Sequence, residues 1–266
     1  MLQNIDMDKL NAIREHDPEA GKMIDTILEK HKEVVSTIGH ELRNPLTYIY
    51  GNLQLLADEH PEVKEYRHFN AVYKETQFMT TVLEDLTSYN HSKTVRKELF
   101  EPTRYLAAFS LSQHPRMIKA GIQFDFDVPL RLSPWYADPN KLKQVLYNLV
   151  NNAKDAVYAH TFGPPCAIHM SARQEWIGEK DYIIIDVEDN GIGIEAENLE
   201  TIFEPFRTFK PNGTGLGLAV CRSIIEAHCG TLTVQSIPKK GSTFTITIPT
   251  YPYSDYYARK QPTKMC

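Results

Sequence analysis

Apolar residues in the first third of the chain recur at alternating steps of four and three. Ile24, Leu28, His31, Val35, Ile38, Leu42, Pro45 and Ile49 mark one register; Phe69, Val72, Thr76, Met79, Leu83 and Leu86 mark a second. This is a heptad seam, and it predicts two helices, over 18–57 and 62–90, with a short break between them. Asp17-Pro18 suits the start of the first, with aspartate as N-cap and proline at the first helical position, and Pro61 is placed to open the second. A hairpin of two such helices buries neither stripe well. Pairing two hairpins into a four-helix bundle does, so the pattern predicts a symmetric dimer.

The pattern changes near Phe100. Strict alternation of Ile122, Phe124, Phe126 and Val128 predicts a strand with one buried face. Asp138-Pro139 repeats the helix-start signature and opens a helix over about 139–159. Strands are predicted over 166–175 and 181–188, joined at Gly178-Glu179-Lys180, then a helix over about 215–228. Leu232 and Val234, then Phe244, Ile246 and Ile248, mark two closing strands around Lys239-Lys240-Gly241. Strands in hairpins with helices between them predict an α+β fold: an antiparallel helical hairpin, then an α/β sandwich with a mixed sheet. The expected division is an N-terminal segment (1–17), the hairpin (18–92), a polar linker (93–103), the second domain (104–250) and an aromatic, patternless tail (251–266).

Composition narrows the class. A chain of 266 residues, 42% hydrophobic and 24% charged, has room for two ordinary globular domains. A net charge of −5 without a long basic run disfavours nucleic acid and anionic membrane surfaces as partners. No apolar run approaches the roughly 20 residues of a membrane span, and the first residues lack the pattern of a signal peptide. The four cysteines, Cys166, Cys221, Cys229 and Cys266, include no C-x-x-C pair, which fits free thiols in a reducing cytoplasm.

Three constellations carry chemistry. His40 lies in His40-Glu41-Leu42-Arg43-Asn44-Pro45-Leu46, about 200° around the helix from Ile38 and Leu42, so it is expected to face solvent. A neutral imidazole is a nucleophile. Glu41 can accept its ring proton, and Asn44, one turn on, can orient a water; Arg43 is either a phosphate partner or a solvated face residue. In the helix from 139, Leu142, Val145, Leu146, Leu149, Ala153 and Ala156 form an apolar face. Lys141, Gln144, Asn148, Asn152 and Asp155 form a polar stripe beside it. Amide oxygens at Asn148 and Asn152 suit a hard cation such as Mg²⁺. Seven of the thirteen glycines fall between Gly191 and Gly241. In Asp189-Asn190-Gly191-Ile192-Gly193 they allow close approach to a flat ligand, and Asp189 can accept from an exocyclic amine such as that of adenine. Gly213-Thr214-Gly215-Leu216-Gly217-Leu218 leads into a helix whose N-terminus favours phosphate. Phe203, Phe206 and Phe209 are either core or a lid, and a lid would carry Arg207 or Lys210 toward a γ-phosphate.

Together these residues resemble the sensor histidine kinases of two-component signalling over residues 30 to 249. His40–Leu46 resembles the family's H box, Asn148–Asn152 its N box, Asp189–Gly193 and Gly213–Leu218 its glycine boxes, and Phe203–Phe206 its F box. The resemblance implies a dimerisation and phosphotransfer hairpin followed by a Bergerat ATP-binding sandwich. It implies ATP and Mg²⁺ as cofactors, with Asn152 as metal ligand supported by Asn148. Asp189 would read adenine, and the second glycine box would hold the phosphates. His40 would be the phosphoacceptor, Glu41 its base and Asn44 a water-positioning residue. The implied partners are a second copy of the chain and a response-regulator receiver domain, with phosphatase activity toward that regulator expected too. The alternatives are a phosphotransferase with little ATP use and an ATP-driven conformational machine. One departure is Asp155, where many relatives carry a basic residue.

Overall fold

The computed structural model describes residues 16–160, 165–178, 180–210 and 213–250. The expected tail, 251–266, and nearly all of the expected N-terminal segment lie outside them. The chain divides into two units, Met1–Asn90 and His91–Cys266.

The first unit is a helical hairpin: α1 (Pro18–Glu59), a 3₁₀ turn (Pro61–Glu65) and α2 (Arg67–Asn90). Asp17 Oδ1 caps α1, accepting from the backbone N–H of Glu19 and of Ala20, each at 3.0 Å. Pro61 opens the 3₁₀ turn rather than the second helix. Tyr66 is extended, with ψ of 122°, and separates that turn from α2.

The seam between the helices also differs from expectation. On α1 it runs through Gly39, Arg43, Leu46, Tyr50, Leu53 and Ala57, one residue beyond the predicted Ile38, Leu42, Pro45 and Ile49. On α2, Thr76 and Leu83 are buried as expected, but Val72 and Met79 are exposed and Tyr73 and Thr80 take their places. Hydrophobicity alone misleads here. The inner seam uses small and polar residues that let the helices approach, whereas the more apolar stripe, Ile38, Leu42, Ile49 and Leu56, lies uncovered.

The second unit is a mixed sheet layered against helices. Its order of elements is β1 (Glu98–Phe100), α3 (Pro102–Lys119), β2 (Gln123–Asp127), β3 (Trp135–Ala137), α4 (Pro139–Tyr158), β4 (Ala167–Ile177), β5 (Lys180–Asp189), α5 (Gly217–Ala227), β6 (Thr231–Ile237) and β7 (Gly241–Pro249). The five-stranded sheet runs β2-β4-β5-β7-β6; β2 and β4 are parallel and the remaining pairs antiparallel. The stretch expected as linker, 93–103, instead holds β1, paired antiparallel with β3, and the start of α3. α3 was not predicted.

Ile183, Ile185 and Val187 on one face of β5 are buried, as are Leu142, Val145, Leu146, Leu149, Ala153 and Val157 on α4. α4 packs on β4, β5 and β7, and against α5. Burying each of the Val, Leu and Ile side chains among them contributes about 1.5–3 kcal/mol. Asp138 caps α4, its Oδ1 accepting from the N–H of Asn140 (3.0 Å) and of Lys141 (3.1 Å). Its Oδ2 accepts from the N–H of Arg96 at 2.8 Å, which ties the segment before β1 to the start of α4.

His228, just past α5, completes this knot. Its Nε2 accepts from the backbone N–H of Asp138 at 2.9 Å while its Nδ1 donates to the Ile224 carbonyl at 2.7 Å. Burial, reinforced by the Lys97 charge, holds its pKa below the ordinary 6.5. A proton on Nε2 would replace that acceptor with a donor facing another donor. The unfolded chain takes up the proton at the ordinary imidazole pKa and the folded unit resists it, so His228 costs stability as pH falls through 6.5 and below. Thermal unfolding between about pH 7.5 and 5.5 should show a loss of Tm that is shallower in His228→Gln, which keeps an acceptor and cannot titrate. Identical slopes in the two proteins would refute this.

Candidate functional site

On the hairpin, His40, Glu41 and Asn44 are all exposed on α1. Gly39 faces the other helix so closely that a Cβ there would lie 3.0 Å from Thr87 Oγ1. Arg43 is half-buried. Its Nη2 donates to Thr87 Oγ1 at 3.3 Å, and its Nη1 lies 3.4 Å from His40 Nδ1. A guanidinium only donates, so this contact forms only with a ring whose Nδ1 lone pair is free. Arg43 is thus a cross-helix strut beside the imidazole rather than a free surface cation.

In the second unit, packing of α4 on the sheet turns its amide stripe outward along one flank. Asn148 Nδ2 donates to the Gly217 carbonyl at 3.4 Å, joining α4 to the start of α5 and leaving the amide oxygen as its remaining acceptor. Asn152 Oδ1 accepts from Lys210 Nζ at 2.9 Å, and the same ammonium pairs with Asp155 Oδ2 at 2.7 Å.

Asp189 ends β5 with 4% of its surface exposed, and its Oδ1 accepts from the N–H of Gly191 at 2.9 Å. Burial raises its carboxyl to about 6 against the pull of the Gly191 and Ser242 backbone donors, and the Glu188 charge adds to the rise. Asn190, to which the sequence reading assigned no separate role, pins this turn to the start of β4. It accepts from the N–H of Ala167 at 2.9 Å and donates to the Pro165 carbonyl at 2.8 Å.

Four glycines of the two clusters have structural reasons visible at atomic level. A Cβ on Gly191 would lie 2.4 Å from the Ala156 carbonyl carbon, so the first glycine cluster sits directly on the backbone of α4. Gly215 has φ of 68°, and its carbonyl accepts from the N–H of Phe206 at 2.9 Å. Gly193 is also left-handed, against the Ile237 carbonyl. In the second cluster, Gly213 abuts Thr208, Thr214 Oγ1 accepts from the N–H of Leu216 at 3.3 Å, and Leu216 is fully buried.

The fold therefore brings Asn148, Asn152, Lys210 and the second glycine cluster together on one flank of α4, with the Asp189 turn seated on Ala156 of the same helix. The backbone of Arg207 lies against Gly215 of that cluster, and its guanidinium lies over the Phe209 ring, 5.9 Å from the centroid. The three phenylalanines divide. Phe203 is core, with Phe244 at 6.5 Å and the Arg222 guanidinium 4.7 Å over its ring. Phe206 and Phe209 are exposed. Sequence reasoning missed the pairing of Asp155 with Lys210, and the only signal for it was the acidic residue at a position basic in many relatives.

Comparison with known proteins fits this order of parts. Residues 30–93 match the His Kinase A (phospho-acceptor) domain. Residues 137–252 match the Histidine kinase-, DNA gyrase B-, and HSP90-like ATPase. The chain belongs to the sensor histidine kinases. Residues 137–252 are its ATP-binding domain of the Bergerat type. The signal transduction histidine-protein kinase AtoS of Escherichia coli K12 is 32% identical over 220 residues, which is 83% of this chain and 35% of AtoS. Among solved structures, the histidine kinase AdeS of Acinetobacter baumannii aligns with a TM-score of 0.53 at 26% identity. The alignment covers 79% of this chain and 98% of that one. Full-length ShkA in complex with AMPPNP shares the fold, with a TM-score of 0.65 at 22% identity over 82% of this chain and 45% of that one. The chain spans 35% of AtoS and 28% of sporulation kinase E of Bacillus subtilis. Among the described residues, no helix is long and apolar enough to cross a membrane.

The glycine contacts make a paired prediction. Gly191→Ala forces a methyl into the α4 backbone and should destabilise the second unit by about 1–3 kcal/mol. Gly217→Ala, whose added Cβ would meet nothing nearer than Asn148 Nδ2 at 3.8 Å, should leave unfolding nearly unchanged. Denaturant unfolding of both variants checks this, and equal losses would contradict the close-approach argument.

Proposed function

We propose that this chain is the catalytic core of an ATP-dependent protein-histidine kinase, phosphorylating His40 and passing the phosphoryl group to an aspartate of a response regulator. The observation that carries the reading is the pairing of an exposed histidine, in an H-box sequence on a helical hairpin, with an amide helix and two glycine clusters in one chain.

In the proposed reaction a ring nitrogen of His40 attacks the γ-phosphorus. The bond to the β–γ bridging oxygen breaks, ADP departs, and Glu41 accepts the ring proton. Asp189 accepts from the adenine amine. The start of α5 and the second glycine cluster offer backbone donors to the phosphates. The amide oxygens of Asn152 and Asn148 are the groups that would hold Mg²⁺, and the fit is supported by the cation that Asn152 Oδ1 already accepts, the Lys210 ammonium. Bound there, the metal would neutralise phosphate charge.

Asn44 is proposed to orient water for removing the phosphoryl group from the regulator. A homodimer is supported by the uncovered stripe of Ile38, Leu42, Ile49 and Leu56, which a second hairpin would bury.

Incubation with γ-labelled ATP and Mg²⁺ should label the wild type and neither His40→Gln nor Asn152→Ala, with a bond stable in base and lost in acid. Label persisting in His40→Gln would remove that residue from its role. A second measurement concerns Asp189. Its carboxylate is the acceptor and its pKa is about 6, so nucleotide affinity should fall as pH drops through 6. Asp189→Asn should bind about tenfold or more weakly and lose that pH step. Calorimetry across this range decides, and an unaltered step in the variant would exclude Asp189 as its source.

A further inference from the structure

We propose that Lys210 is a built-in competitor for the amide oxygen of Asn152, anchored by Asp155, so that binding of a magnesium-bound nucleotide requires Lys210 to let go. The proposal rests on Asn152 being the metal-facing residue, as argued above. Lys210 Nζ donates to Asn152 Oδ1 at 2.9 Å and to Asp155 Oδ2 at 2.7 Å. Asp155 is three residues beyond Asn152 and so sits on the same helical face. The ammonium thus occupies the oxygen a divalent cation would need. A divalent ion on that oxygen would lie within about 5 Å of the ammonium, where repulsion exceeds thermal energy even in water.

The anchor is suited to release. Both partners are about half exposed, 44% for Lys210 and 47% for Asp155, and exposed ion pairs are weak and readily exchanged. Release also has somewhere to propagate. The N–H of Lys210 donates to Thr208 Oγ1 at 3.1 Å, a Cβ on Gly213 would lie 2.3 Å from that oxygen, and Phe206 N–H reaches the Gly215 carbonyl at 2.9 Å. Lys210 is therefore tied through a short segment to the second glycine cluster, and occupancy of the metal position is communicated to the backbone that faces phosphate. Asp155 is a positioning residue acting through Lys210.

The test measures acylation of Lys210 by an amine-reactive ester, read by mass spectrometry, together with calorimetric affinity for Mg·ADP. This nucleotide lacks the γ-phosphate that could otherwise recapture the lysine. Wild type should label slowly alone and several-fold faster with Mg·ADP. Asp155→Asn should label fast without nucleotide and bind Mg·ADP about threefold more tightly, whereas Asp155→Glu should restore slow labelling. Unchanged labelling in protein that demonstrably binds Mg·ADP would overturn the proposal, as would weaker binding by Asp155→Asn. Absence of Mg·ADP binding altogether would instead overturn the nucleotide site itself.

Discussion

Packing of α4 on the sheet sets the phase of everything in the second unit. Leu142, Val145, Leu146, Leu149, Ala153 and Val157 are each at most 3% exposed, so the helix has no freedom to rotate. A slip of one residue would turn it by about 100° and carry Asn148 and Asn152 off their flank. The apolar face is therefore what aims the amides. The same constraint seats the Asp189 turn, because Gly191 rests on the α4 backbone and Ile192 N–H donates to the Ala156 carbonyl at 3.2 Å. The groups proposed to face nucleotide, from two distant parts of the sequence, are thus referred to one rigid element, as a preorganised site requires.

The hairpin solves a different problem. Its inner seam spends little apolar surface: Gly39, Ala57, Thr76 and Thr87 let the helices come close, and Arg43 crosses between them. The richer stripe is kept for the outside. That allocation leaves one helix face for the second hairpin of the proposed dimer and another for the exposed His40, Glu41 and Asn44. Within this arrangement the strut from Thr87 through Arg43 to the imidazole links the ring to the relative placement of the two helices.

Much of this was legible in the chain, and the exceptions have physical reasons. α4 could be read because its Asp-Pro cap and its apolar period agree, and the strands β4 to β7 because alternation and turn residues agree. The predicted seam of α1 falls one residue early between Ile38 and Ile49 because the apolar period marks the uncovered stripe, and the intramolecular face is here the less apolar. α3 escaped because Pro115 lies within it and its apolar positions are diluted by Ser110, Ser112 and Gln113. β1 and β3 are three residues each, too short for periodicity to register. At the candidate site, Asn148, Asn152, Asp189 and the glycines could be proposed from local pattern. The contact of Lys210 with Asp155 joins residues 55 apart in sequence and could not be.

The two buried aspartates, Asp138 and Asp189, differ electrostatically in a way that bears on the proposed role of Asp189. Asp138 and Asp189 are similarly inaccessible, at 6% and 4% exposed. Burial opposes charge on both, yet the carboxyl of Asp138 lies below its ordinary range while that of Asp189 rises to about 6. The difference lies first in depth, since Asp189 sits farther from solvent and burial weighs more on it, and then in what surrounds the oxygens. Asp138 receives backbone donors from Arg96, Lys141 and Asn140, with His228 beside it, and these more than offset desolvation. Asp189 has donors only from Gly191 and Ser242, with the like charge of Glu188 next to it. A carboxylate whose lone pairs are filled by the fold has been used up as a cap and a tie. One left short, at the end of a strand and beside glycines, retains acceptor capacity, which is what the proposed adenine contact of Asp189 requires.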